Sequence, residues 1–188
     1  MRRRSTLAVA LVVAPVITLC WVACRRAPKP TDPAALVEKL KSPDPTLSGA
    51  ASLELISLGE PAVPALVELL RDPAAGHRAL AARTLWAMGA RASGAATALG
   101  EALADEDAAV RVGTAMALDN MGPPAAPAVP ALIRALGDSS GEVRQWAARA
   151  LGNIGRDAEP AVPALERAAR LDGVRGPAEE AIRKIRAR

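Results

Sequence analysis

Three aspartate–arginine pairs stand out in this chain: Asp72 with Arg78, Asp105 with Arg111, and Asp138 with Arg144. A carboxylate near a guanidinium could act as an acid–base array, or it could hold structure. Catalysis needs one such pair, and here every internal unit has one, so a structural role is expected. His77 is the single histidine of the sequence and shares a column with Val110 and Val143. A metal centre or a nucleophilic triad would need further ligands or a nucleophile, so His77 is expected to be a partly buried packing residue. The stretch Gly89-Ala-Arg-Ala-Ser-Gly94 opens like a phosphate loop but continues Ala95-Ala96. The required lysine and hydroxyl are both missing, and an inter-repeat linker is expected instead. Asp105-Glu106-Asp107 lacks the spacing of a calcium loop and reads as a solvated helix start. These residues point to no enzyme activity, no cofactor and no metal.

The elements that position these residues come in repeats. The pentapeptide AVPAL occurs at Ala62–Leu66, Ala128–Leu132 and Ala161–Leu165, with a worn copy, AATAL, at Ala95–Leu99. Starts at Ala65, Ala98, Ala131 and Ala164 are 33 residues apart, and an earlier unit starts at Ala35. Leu85/Leu118/Leu151, Met88/Met121/Ile154 and Gly89/Gly122/Gly155 then fall into shared columns. Repetition at such a period means stacked supersecondary units. In the unit from Ala131, Leu132, Ile133 and Leu136 form an apolar stripe, and Pro130 suits the first helical turn. Ser139 and Glu142 have the spacing of a capping box. Val143, Ala147, Leu151 and Ile154 then make a second helix that Gly155 can close in a left-handed conformation. Neither helix buries its stripe alone, so neighbouring units must stack.

The AVPAL…D…VR…A..AL..IG pattern over about residues 34–188 resembles HEAT repeats, in particular the bacterial HEAT-like repeats of phycobilisome-lyase-type proteins. The resemblance implies an all-α fold, a right-handed αα-superhelix or solenoid of about five helical hairpins, armadillo-like in its helix pairs. Its units span about 35–64, 65–97, 98–130, 131–163 and 164–188. The aromatic pattern of TPR repeats is missing. The resemblance also implies that second helices line the concave side, and that stacked units share an Asp–Arg ladder. Such arrays serve as scaffolds, adaptors, enzyme subunits and occasional enzymes. The paired His-Glu motifs of HEAT-like metal-dependent hydroxylases cannot be assembled from one histidine. Ser48 replaces the ladder arginine in the first unit and the last unit is shortened, as expected of capping repeats.

Columns that disagree between units mark the candidate site. On the second helices they read Gly49/Leu53/Ile56, Ala79/Arg83/Trp86, Val112/Met116/Asp119 and Gln145/Arg149/Gly152. Their i, i+4, i+7 spacing is one helix face. Arg83, Trp86, Met116, Asp119, Gln145 and Arg149 are the candidate partner-binding residues. The alternative is drift on a face where nothing packs. Trp146 shares a column with Leu80 and is expected to be packing.

Residues 1–24 read as a targeting element, and 25–33 as a Pro-rich tether. MRRRST is a basic start, Leu7–Leu19 is apolar, and CWVAC precedes Arg25-Arg26. Val22-Ala23-Cys24 resembles a bacterial lipoprotein signal, which implies lipid on Cys24. An uncleaved anchor is the alternative, because 20 uncharged residues separate Arg4 from Arg25. A third is some other processing. Six basic residues and no acid fall in 1–30, which leaves a net charge of −2 for 31–188 and disfavours nucleic acid. Both cysteines, Cys20 and Cys24, precede the repeats, so the repeats form no internal disulfide. The expected protein is a membrane-tethered, exported scaffold or adaptor that binds a protein or peptide on its concave face. The alternative is a lyase-like or chaperone-like subunit assisting covalent modification of a partner protein.

Overall fold

The computed structural model describes residues 32–171 and 173–187, and the N-terminal segment with Cys24 lies outside them. The described chain forms five successive helical hairpins. Their helices are α1 (Pro33–Leu40) with α2 (Pro45–Leu58), α3 (Val63–Leu69) with α4 (Ala75–Met88), and α5 (Ala96–Ala102) with α6 (Ala108–Met121). α7 (Val129–Ala135) with α8 (Gly141–Ile154), and α9 (Val162–Ala168) with α10 (Arg175–Arg186), complete the array. No described helix is long and apolar enough to cross a membrane.

Proline sits in the first turn of α3, α7 and α9, where its missing N–H costs no intrahelical bond. Each inner second helix ends on a glycine, Gly89, Gly122 or Gly155, with φ of 57°, 68° and 79°. The ψ values at these ends lie between −133° and −139°, outside the left-handed helical well and in a region that only glycine enters readily. A short 3₁₀ turn then leads into the next unit, and Gly89–Ala95 is such a linker. The second helices α4, α6, α8 and α10 pack side by side and the first helices cover one flank of each hairpin. Val110, Val143, Leu85, Leu118 and Leu151 are fully buried, together with Ala82, Ala115 and Ala148.

The aspartates and arginines form the ladder between units. Arg78 grips Asp105 of the following unit with two bonds, Nε–Oδ2 at 2.6 Å and Nη2–Oδ1 at 2.8 Å. Its Nη1 donates to the carbonyls of Asp72 and Pro73, both at 3.0 Å. Arg111 repeats the grip on Asp138, at 2.8 and 3.1 Å. The fork therefore ties the turn of its own hairpin to the turn of the next. At the start of the ladder Asp72 receives Lys41 at 3.3 Å and His77 Nδ1 at 3.0 Å. His77 is thus half-buried as expected, but a hydrogen-bonding ring more than a packing one. At the far end Arg144 bonds the carbonyls of Asp138 and Ser139, and its buried Nε has no partner among the described residues.

The capping box expected at Ser139 and Glu142 does not form. The residue before α8 is Ser140, its hydroxyl caps nothing, and its backbone N–H donates to Asp138 Oδ1 at 2.7 Å. The helix starts one residue later than the box requires, which leaves Ser139 outside the cap position, while the Asp138 carboxylate closes the turn and holds Arg111 at once. Asp105-Glu106-Asp107 divides similar work: Asp105 joins the ladder, and Asp107 caps α6 by accepting from Ala109 N at 2.8 Å.

The bond from Arg78 holds Asp105 below the usual carboxylate range. Burial pushes Asp138 upward, but Arg111 and the Ser140 N–H outweigh it and hold it low as well. Folded values below the unfolded one mean stability that is complete above the ordinary aspartate value of 3.8 and is lost as pH falls through the depressed values. Asp138→Ala is therefore expected to cost about 2–3 kcal/mol at neutral pH, since Arg111 and an N–H lose their acceptor. Urea titration across pH should also show a flatter fall in stability on the acid side than in the wild type.

Candidate partner-binding face

The variable columns lie on the side-by-side second helices, and their six candidate residues do not share one fate. On α4, Arg83 is exposed and makes no side-chain bond among the described residues, while Trp86 is 40% exposed. Met116 on α6 is partly exposed, and Gln145 and Arg149 on α8 are exposed. Leu53, in the column of Arg83, is 70% exposed on α2.

Asp119 is buried and already engaged. It accepts from Asn153 Nδ2 at 2.7 Å and pairs with Arg149 at 3.5 Å. Burial raises its carboxyl above the usual range, against the pull of Arg149, Lys184 and Asn153. Protonation at this position favours the folded state, a sign opposite to that of the ladder aspartates. Arg149 also lies over the Trp146 ring, 4.3 Å from its centroid, while Trp146 packs against the core. Two of the six candidates are therefore satisfied within the array, whereas Arg83, Trp86 and Met116 are not tied up by ion pairs.

A second ladder accompanies this face. Asn120 Nδ2 donates to the Trp86 carbonyl at 2.7 Å, and Asn153 Nδ2 reaches the Asp119 carbonyl at 3.4 Å, each 34 residues back. Lys184 then donates to Asn153 Oδ1 at 2.9 Å. The bonds that hold α4 to α6 here use the backbone of Trp86 and leave its ring free. Asn120 and Asn153 are one period apart, which is the sequence signal for this ladder. Gly152, in the column of Trp86, is covered by Ala181 of α10. Among the described residues no three His, Cys, Asp or Glu side chains come together as a metal site.

Residues 96–183 match the family model for HEAT repeats. The described chain folds as an all-α superhelix. An engineered protein superposes with a TM-score of 0.60 at 25% identity, covering 82% of this chain and 79% of its own. A second engineered protein gives 0.60 at 25%, covering 82% and 81%. The complex of CpcE and CpcF of phycocyanin lyase from Nostoc sp. PCC7120 gives 0.63 at 24%, covering 80% of this chain and 97% of that one. No curated protein matches the sequence.

Proposed function

We propose that this protein is a non-catalytic scaffold or adaptor, tethered to a membrane by its N-terminal segment and exported, that binds a protein or peptide partner on its second-helix face. The observation that carries the reading is Trp86. A large ring stays 40% exposed on α4, its backbone is pinned by Asn120, and no side chain in its column at Asp119 or Gly152 is comparable. Exposed Trp beside an unpaired Arg is the composition of a binding hot spot, and Met116 on the adjoining helix can adapt to an irregular partner.

Trp86→Ala is expected to leave helicity and melting nearly unchanged while weakening the partner by about 2 kcal/mol or more. Arg83→Glu is expected to weaken it further where the partner is acidic, with a visible salt dependence. The test is a pull-down from a native membrane fraction with wild type and both variants. Unfolding of the array by Trp86→Ala would make the ring part of the core, and unchanged capture would make the stripe drift. A modifying enzyme or its substrate in the captured fraction would favour the lyase-like or chaperone-like reading.

The tether has its own test. Val22-Ala23-Cys24 after a basic start and an apolar run supports lipid on Cys24. Intact-mass measurement of the native protein is expected to show a chain beginning at Cys24 with added acyl mass. A chain that begins elsewhere, or an unmodified Cys24, would remove the lipoprotein reading.

A further inference from the structure

The first helices carry a charge pattern that the stack itself uses only in part. One exposed column, read once per hairpin from α1 to α9, is Glu38, Glu68, Glu101, Arg134 and Arg167. The sign reverses between α5 and α7. The three glutamates share two cations: Lys41 lies 2.9 Å from Glu38, and Arg71 lies 3.1 Å from Glu68 and 3.7 Å from Glu101. Arg134 and Arg167 have no side-chain partner among the described residues. Both halves also offer apolar surface. A groove of about 550 Å³ along α3 includes Val63, Pro64 and Val67. One of about 340 Å³ between α7 and α9 includes Ile133 and Leu171, the latter 45% exposed.

We propose that this face is the interface of a homodimer, with a second copy lying antiparallel across the first helices. A two-fold axis between α5 and α7 sets Glu101 opposite the second copy's Arg134, and Glu68 opposite its Arg167. Symmetry repeats both pairs, so a single patch complements itself, as a two-fold interface requires. A parallel arrangement in register would instead set like charges face to face. The sign change within one column is what selects a second copy as the occupant. An acidic or a basic partner alone would suit only half of the face. The charges set register and orientation, and the flanking apolar grooves supply area to exclude water.

The test is sedimentation of the full chain in detergent solution at low and high salt. The wild type is expected to form a dimer whose Kd rises about tenfold or more with added salt. The pair variants Glu68→Arg/Glu101→Arg and Arg134→Glu/Arg167→Glu should each sediment as monomers with unchanged helical circular dichroism. An equimolar mixture of the two should restore a one-to-one heterodimer, because every reversed charge then meets its opposite. A wild type monomeric at low salt would overturn the proposal. So would association that is indifferent to salt and to both variants, which would place the contact elsewhere, or a mixture that fails to pair. Should a double variant lose helicity, Arg167→Gln is expected to weaken the dimer in the same assay, and an unchanged Kd would count against the interface.

Discussion

Leu118→Ala is expected to lower the free energy of unfolding by about 2–5 kcal/mol. Leu118 is fully buried in the last turn of α6, the helix that packs between the second helices of the units before and after it. Removing its branched end leaves a cavity that repeating neighbours are poorly placed to fill, because Leu85 and Leu151 are themselves fully buried in the same column. The array contains no phenylalanine or tyrosine, so small aliphatic side chains carry nearly all of the packing. In a stack of this kind each unit contacts its neighbours, and a defect in the third hairpin weakens two interfaces at once. Urea unfolding followed by circular dichroism measures the loss. A change below about 1 kcal/mol would mean that the stack collapses around the site more readily than its packing suggests.

Gly152→Leu is expected to act on one interface alone, and severely. A Cβ at Gly152 would lie 2.8 Å from Ala181 Cα and 3.1 Å from Ala181 Cβ. The first of these is backbone, so the two helices must separate, whatever side chains do. Overpacking of this kind costs about 1–3 kcal/mol and occasionally more, and here it falls on the contact between α8 and α10. Amide exchange in Arg175–Arg186 should quicken strongly, while α4 and α6 keep their protection. Gly49→Ala is the contrasting substitution: nothing lies within 4 Å of its added Cβ, and it sits exposed within α2. It should stabilise the chain, by up to about 1 kcal/mol from helix propensity. Unchanged exchange in the Gly152 variant would mean that α10 slides without cost.

The 33-residue period and the columns it defines were enough to read the hairpins, the buried leucines, the glycine helix ends and the recurrence of Asp–Arg pairs. All of these depend on which residues recur, and recurrence is a one-dimensional property. The period also carried Asn120 and Asn153, although a pair of asparagines near a helix end gains meaning only when its acceptors are seen 34 residues back. Which face of each second helix meets which neighbour was decided by packing. Columns align equivalent residues without saying what lies opposite them. Asp119 therefore shared a variable column with the exposed Trp86, yet Asn153, Arg149 and the closing of α8 over α6 buried it. Gly152 shared that column too, and the approach of Ala181 made it a site that tolerates no side chain. The capping box at Ser139 had the right spacing, but α8 starts after Ser140, one residue out of register with the box. Local pattern set the elements. Contacts between units, 27 to 34 residues apart in the chain, set the environment of every side chain on the face where a partner would bind.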